Sequence, residues 1–186
     1  KALVADFETQ VEMAQGRSIH SVFIGGGTPS LISAKGYAWL FEQLKSLLNF
    51  EDDCEITLEA NPGTLEHDPF AGYLEAGINR LSIGVQTFNT DHLQKLGRIH
   101  SANNAMDAIE QARRAGFKRV NVDLMHGLPE QTLEQALYDL KTAVEQGATH
   151  ISWYQLTIEP NTVFFRTQPV LPQDEVLEDI QEQGEA

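Results

Sequence analysis

Cysteine is almost absent from this chain, because only one of its 186 residues, Cys54, carries a thiol. A single thiol cannot form an internal disulfide, and it cannot alone hold a zinc ion or an iron–sulfur cluster. Its acidic neighbours at positions 52, 53 and 55 would not lower the thiol pKa, as a reactive cysteine requires. Cys54 is therefore interpreted as structural, and a reducing, cytoplasmic location is expected.

Positive charge and long apolar segments are also scarce. The chain has 13 lysines and arginines against 27 aspartates and glutamates, a formal net charge of -14. A surface that follows nucleic-acid phosphates needs clustered cations, so nucleic acid is not an expected partner. No apolar run approaches the roughly 20 residues of a membrane span, and no signal-like segment is visible at the start. The hydrophobic content of 41% still suffices for a folded core.

Strand-like and helix-like segments alternate along the chain, roughly one pair per 30 residues. Strands are predicted at 22–24, 55–59, 80–85, 120–124 and 151–156. Helices are predicted at 1–15, 34–48, 90–96, 102–115 and 132–146, from Thr64 or Glu66 to Ala76, and from Asp174 onwards. This α/β pattern is typical of parallel βαβ units, and it leaves two architectures open: a doubly wound sheet or part of a (β/α) barrel.

Two of the predicted helices carry an apolar stripe that should face the core. Ser33 is the expected N-cap of the helix at 34–48. Its stripe comprises Trp39, Leu40, Leu44, Leu47 and Leu48, and that of the helix at 132–146 comprises Leu133, Ala136, Leu137, Leu140 and Val144.

Polar residues follow the end of every predicted strand. In chain order they are Gly26, Gly27 and Thr28, then Glu59 and Asn61, then Gln86 with Arg98 and His100 in the loop beyond it, then Asp123 and His126, and finally Tyr154, Gln155, Thr157 and Glu159. Because parallel strands end at one rim of a sheet or barrel, these groups should line a polar ligand pocket.

The chemistry of this set suits a zwitterionic molecule that resembles a nucleoside. Arg98 can pair with a carboxylate, and Glu59 or the glycine carbonyls can accept from an ammonium group. Asp123 and Gln86 can accept or donate hydrogen bonds at ribose hydroxyls, and the backbone near Thr157 can contact an adenine edge.

A phosphate-binding interpretation of the GGGTP loop is weaker. The chain has neither GxxxxGKS nor GxGxxG, no lysine lies beside the glycines, and Pro29 removes one backbone N–H. Zinc spacings of the HExxH type and a serine nucleophile elbow are also missing. A flavodoxin-like phosphate-binding module therefore stays a third alternative.

The candidate residues lie in longer motifs. These are FIGGGTPSL (23–31), EITLEANPGT (55–64), GINRLSIGVQTF (77–88), LGRIH (96–100), NVDLMHGLPEQT (121–132) and HISWYQLTIEPNT (150–162). In this order they resemble the radical S-adenosylmethionine (SAM) family of oxygen-independent coproporphyrinogen III oxidases, and within it the haem-chaperone branch. The likeness extends from about residue 17 to residue 180.

The resemblance implies a partial (β/α)6 barrel of parallel strands and a four-iron–four-sulfur (4Fe–4S) cluster with one open iron that binds SAM. It also implies that an electron from the cluster cleaves SAM to a 5′-deoxyadenosyl radical. The residues implied to contact SAM are Gly26, Gly27, Thr28, Glu59, Gln86, Arg98, Asp123 and Thr157.

One departure from the family is large. The family's cluster ligands come from a CxxxCxxC loop after the first barrel strand, and these residues contain no such loop. We therefore expect a single incomplete barrel domain, with a helix at 1–16 after a missing first strand, βα units at 17–160, and a proline-rich segment and acidic helix at 161–186. Such a fragment is expected to hold no cluster and to be inactive alone.

The expected function of the parent protein is that of a haem chaperone, which binds haem and delivers it to haem proteins. The alternative is a genuine coproporphyrinogen III oxidase of porphyrin biosynthesis, which decarboxylates two propionates. His100, His126 and Tyr154 are candidate axial haem ligands, although pocket or loop roles are favoured for each.

Overall fold

A computed structural model describes residues 1–63 and 68–185 of the chain. Five strands form one parallel sheet in the order β1-β2-β3-β4-β5. They are β1 Ile19–Ile24, β2 Phe50–Ala60, β3 Arg80–Gln86, β4 Arg119–His126 and β5 His150–Gln155. Each strand lies beside its successor, whereas the strand order of a doubly wound sheet reverses at a switch point. The sheet is therefore part of a (β/α) barrel.

Helices connect the strands. They are α1 Ala2–Gln10, α2 Ala34–Leu47, α3 Phe70–Glu75, α4 Thr90–Lys95, α5 Ala102–Arg114, α6 Leu133–Glu145, α7 Val163–Thr167 and α8 Asp174–Glu185, with 3₁₀ turns at Val11–Ala14 and Pro29–Leu31. The predicted helix start at Thr64 or Glu66 lies outside the described residues. Among the described helices, none has both the length and the apolar character that crossing a bilayer requires.

Side-chain caps fix several helix starts. The hydroxyl oxygen of Ser33 accepts a hydrogen bond from the Gly36 N–H at 3.0 Å, so the predicted cap of α2 is confirmed. Ser101 and Thr132 begin α5 and α6 with reciprocal capping boxes, in which two otherwise unpaired N–H groups are satisfied.

The core lies between the outer face of the sheet and the helices. Leu81, Ile83 and Val85 of β3 and Val120, Val122 and Leu124 of β4 are fully buried there. Because side chains alternate along a strand, the intervening residues of β3 and β4 face the inside of the curved sheet. This inner face carries the polar groups described below.

The predicted apolar stripes were wrong at two positions. Trp39 is 40% exposed, while Tyr37 and Phe41 are the buried residues of α2. Positions 37 and 41 share a helix face, and position 39 lies on the opposite side of them. Val144 of α6 is 64% exposed, whereas the polar Asp139 is buried, because its carboxylate accepts a hydrogen bond from the Phe88 N–H at 2.7 Å.

Candidate functional site

The glycine loop after β1 lies against a carboxylate from the neighbouring strand. The Gly26 N–H donates a hydrogen bond to Oε2 of Glu59 at 3.1 Å. A Cβ at Gly25 would lie 2.9 Å from Oε1 of the same carboxylate, so a larger residue there would displace the Glu59 side chain. Gly26 has a φ of +82°, which turns its N–H towards Glu59 at little conformational cost. Glu59 therefore belongs to the glycine loop as well as to β2.

Asp123 lies on the inner face of β4 and is held by its neighbours. The Ser82 hydroxyl lies 3.1 Å from both carboxylate oxygens, and Nδ2 of Asn121 lies 2.8 Å from Oδ1. Burial raises the pKa of the Asp123 carboxyl, and the charge of Glu59 raises it further. Hydrogen bonds from Ser82 and Asn121 act in the opposite direction and favour the ionised form.

Gln86, at the end of β3, is fixed by Tyr154 of β5. The Tyr154 hydroxyl donates to Oε1 of Gln86 at 2.7 Å. Gln86 is buried and has a φ of +70°. A non-glycine residue in this region costs about 1 kcal/mol or more, and such residues concentrate at functional sites. The carbonyl end of the Gln86 amide is therefore occupied by Tyr154.

Arg98 is carried by a segment that His100 attaches to β3. Nε2 of His100 lies 3.1 Å from the Val85 carbonyl oxygen and donates to it. Burial lowers the pKa of His100, and the charge of Arg98 lowers it further although the bond to Val85 opposes both. Burial raises the pKa of the Tyr154 phenol, and so does the charge of Asp123, whereas Arg98 lowers it. Arg98 is exposed, and its charge acts on the same phenol as that of Asp123.

Thr157 lies slightly apart from this group. It lines an open cleft of about 370 Å³ whose other walls include Leu96, Gly97, Val163 and Phe164. Because Gly97 directly precedes Arg98, the cleft borders the same segment. Its walls are mainly apolar.

Two hydrogen bonds and a set of electrostatic interactions relate several of the sequence-predicted residues to one another. Gly26 donates to Glu59, and Tyr154 donates to Gln86. The charge of Glu59 acts on Asp123, and the charges of Asp123 and Arg98 act on Tyr154. Gly27 is exposed, and Thr28 precedes the 3₁₀ turn Pro29–Leu31. Ser82, Asn121 and Ser152 were not among the predicted site residues.

The structure corrects the expectation for His126. Its ring packs on the outer face of the sheet, 4.3 Å between centroids from Trp153, and it is 2% exposed. Burial lowers its pKa. Residues 123 and 126 are separated by an odd number of positions, so they point to opposite faces of β4. His126 therefore does not share the face of Asp123.

The described residues fit SAM and the cluster differently. Hydrogen-bonding groups for a carboxylate, an ammonium group and ribose hydroxyls are all present on the inner face or beside it. Cys54, in contrast, is buried in the core, where burial raises the pKa of its thiol. No group of three histidine, cysteine, aspartate or glutamate side chains within the described residues could hold a metal ion. The described residues therefore contain hydrogen-bonding groups of the kinds that SAM requires, but no cluster-ligand set.

A family model described as the radical SAM superfamily matches residues 3–143. The chain belongs to the radical SAM superfamily. It is 57% identical over 182 residues to the heme chaperone HemW of Haemophilus influenzae and 52% identical over 182 residues to that of Escherichia coli. Each match covers 98% of the chain and 48% of the relative, so this radical SAM chain spans about half the length of these curated relatives.

A solved radical SAM structure gives the same result for the fold. The coproporphyrinogen III oxidase HemN of Escherichia coli, described as a radical SAM enzyme, matches with a TM-score of 0.80 and 27% identity over 98% of the chain and 44% of that structure. The resemblance inferred from the motifs is therefore confirmed, both for the radical SAM family and for its haem-chaperone branch. The flavodoxin-like alternative was wrong.

Proposed function

We propose that this chain is the SAM-binding half-barrel of a haem chaperone, a cytoplasmic protein that binds haem and delivers it to haem proteins. The observation that carries the proposal is 57% identity to a heme chaperone HemW over 98% of the chain. The polar inner face supports it independently, because four strands and the Arg98 segment present complementary groups for one zwitterionic ligand.

Each residue has a role that follows from its chemistry. Arg98 is exposed and can form a bidentate pair with the methionyl carboxylate of SAM. Glu59 is anchored by Gly26 and can accept from the ammonium group. Asp123 accepts from ribose hydroxyls, and Gln86, whose carbonyl end is occupied by Tyr154, donates through its amide nitrogen.

The remaining predicted contacts come from backbone and from the cleft. Gly26 and Gly27 let the main chain approach the cofactor without side chains in between, and Thr28 follows them at the rim. Thr157 borders the cleft beyond β5, where its backbone can contact adenine.

Radical SAM proteins in general combine SAM with a 4Fe–4S cluster, and the cluster supplies the electron that cleaves the sulfonium. The share of this chain is to bind and orient the cofactor. Its inner-face groups hold the two ends of SAM, and the buried hydrogen bonds around Asp123 and Gln86 keep these side chains in place.

A coproporphyrinogen III oxidase is the second candidate. It is favoured by the fold match to HemN at a TM-score of 0.80. The sequence identity to that structure is 27%, about half the identity to the heme chaperones, which ranks the oxidase second.

The two candidates are separated by experiments on the full-length protein. We expect a haem titration to give a saturable Soret absorbance change and an anaerobic assay with coproporphyrinogen III to give no decarboxylated product. Haem binding without turnover would support the chaperone. Turnover of both propionates would contradict it and assign the protein to the oxidases.

A further inference from the structure

The inside of the half-barrel contains a polar cluster formed by three adjacent strands. Ser82 of β3, Asn121 and Asp123 of β4, and Ser152 of β5 are its members. Ser82 is 4% exposed and Asn121 is 2% exposed. In the strand register Ser82 lies opposite Asn121, and Asp123 lies opposite Ser152. The four side chains therefore occupy the corners of one patch.

Hydrogen bonds join all four side chains of this cluster. The Ser152 hydroxyl donates to Oδ1 of Asn121 at 3.2 Å, which sets the orientation of that amide. Nδ2 of Asn121 then faces Oδ1 of Asp123 at 2.8 Å, with Ser82 Oγ at 2.9 Å and Ser152 Oγ at 3.0 Å. Ser82 donates to the Asp123 carboxylate from 3.1 Å. Asp123 therefore accepts from Ser82 and from Asn121, and Ser152 joins the cluster through Asn121.

Such a cluster is costly in this position. The interior of a parallel (β/α) barrel is normally filled by branched apolar side chains. A buried polar group without partners costs about 1–3 kcal/mol, and apolar residues of the same shape avoid that penalty. Stability alone therefore does not explain three polar residues that surround one carboxylate.

Nearby charges favour protonation of the Asp123 carboxylate, and the hydrogen bonds of the cluster oppose it. The negative charge of Glu59 on β2 raises the pKa of the Asp123 carboxyl, and the charges of Asp123 and Arg98 both act on the phenol of Tyr154. A partly buried carboxylate beside another carboxylate tends to take up a proton. Donors aimed at its oxygens keep it ionised and limit its rotation.

We propose that Asn121, Ser82 and Ser152 are positioning residues, which hold the Asp123 carboxylate ionised and oriented for the ribose of the cofactor. This inference rests on the proposed function, since it assumes that Asp123 meets SAM. It assigns a role to three residues that make no contact with the ligand themselves.

The test uses the full-length protein and measures the dissociation constant of S-adenosylhomocysteine by calorimetry, over the whole pH range in which the protein stays folded. In the wild type, affinity should weaken as the pH falls through the pKa of Asp123. Ser82→Ala should raise the pH midpoint of this loss of affinity by about half a unit. Asn121→Leu should raise this midpoint further and weaken binding at pH 7 roughly tenfold.

Asn79→Ala is the matched control. Asn79, just before β3, also holds a neighbouring strand through a half-buried amide, since it accepts from the Ile56 N–H at 2.8 Å and donates to the Cys54 carbonyl at 2.9 Å. It lies at the opposite end of the sheet from Asp123. This variant should lower the melting temperature and leave the pH midpoint of binding unchanged.

The outcomes separate this inference from the proposed function. If Ser82→Ala and Asn121→Leu bind with the wild-type affinity and pH midpoint while Asp123→Asn binds weakly, the positioning role is overturned and the cofactor site stands. If the wild type does not bind, or Asp123→Asn binds as tightly as the wild type, both are overturned.

Discussion

Tyr154 is the residue that joins the two sides of the candidate site. Its hydroxyl donates to Gln86 on β3, and its phenol lies within the electrostatic range of both Asp123 and Arg98. The hydroxyl group of Tyr154 therefore fixes the orientation of the Gln86 amide, because it occupies the carbonyl end. Its role can be tested with a change of one atom.

We predict that Tyr154→Phe weakens binding of S-adenosylhomocysteine by about five- to tenfold in the full-length protein. The variant leaves Oε1 of the buried Gln86 unpaired and frees the amide to rotate. Calorimetry measures the change, with Tyr138→Phe as control because Tyr138 lies on α6 and is 55% exposed. Equal affinities for the two variants would contradict the role of Tyr154.

Asp139 is a second residue whose environment has a measurable consequence. Burial raises the pKa of its carboxyl to about 6, although hydrogen bonds from Thr87 and the Phe88 N–H oppose the rise. The folded state therefore binds the proton of the Asp139 carboxyl more tightly than the unfolded state does. The stabilisation from this proton is complete below the unfolded pKa of about 4 and is lost as the pH rises through about 6.

We predict that Asp139→Asn removes this pH dependence. The asparagine carbonyl can still accept from the Phe88 N–H and carries no charge. The free energy of unfolding of the variant, relative to the wild type, should rise by about 2 kcal/mol between pH 4 and pH 7.5. Urea titrations at both pH values measure it, with Asp107→Asn on the exposed side of α5 as control. A difference that is equal at both pH values would contradict the prediction.

At the scale of single elements, the strands were well predicted and the helix faces were less so. All five predicted strands are present, but β2 runs over Phe50–Ala60, well beyond the predicted 55–59, because its first residues alternate little. The short helix α7 was not predicted. The buried position of Asp139 depends on a contact with Phe88, 51 residues away, which periodicity within one helix cannot reveal.

The residues of the candidate site were also predicted only in part. Glu59, Gln86 and Asp123 were predicted together because the carboxyl ends of parallel strands meet at one rim. Ser82, Asn121 and Ser152 lie within the strands and were missed. A signal was available, since RLSIGVQ and RVNVDLMH alternate apolar and polar residues, whereas parallel strands buried on both faces are almost continuously apolar.

Gly184 of α8 lies against Trp153 of β5. A Cβ on Gly184 would overlap the indole ring of Trp153. Alanine in place of glycine normally stabilises a helix by about 1 kcal/mol, whereas overpacking costs about 1–3 kcal/mol. The overlap is deep enough that the cost should prevail.

We predict that Gly184→Ala lowers the melting temperature and changes the fluorescence of Trp153 as α8 is displaced. Differential scanning fluorimetry of the full-length protein measures both effects. Glu182→Ala, on the exposed side of the same helix, should leave both unchanged. An increase in melting temperature for Gly184→Ala would show that the contact with Trp153 is not maintained.

For the whole molecule, the cysteine content leads to a prediction about loading of the iron–sulfur cluster. The half-barrel presents groups for SAM, but its 186 residues contain one cysteine, which is buried in the core. We predict that this segment alone takes up no 4Fe–4S cluster and performs no radical chemistry. Anaerobic reconstitution with iron and sulfide, followed by iron analysis, tests this. Uptake of four iron atoms per chain would contradict it.

A crystal structure of the full-length protein with bound SAM tests the central claim most directly. The account predicts the methionyl carboxylate on Arg98, the ammonium group beside Glu59 and the glycine loop, and the ribose within about 3.2 Å of Asp123. A ligand bound elsewhere, with these side chains turned away from it, would contradict the account.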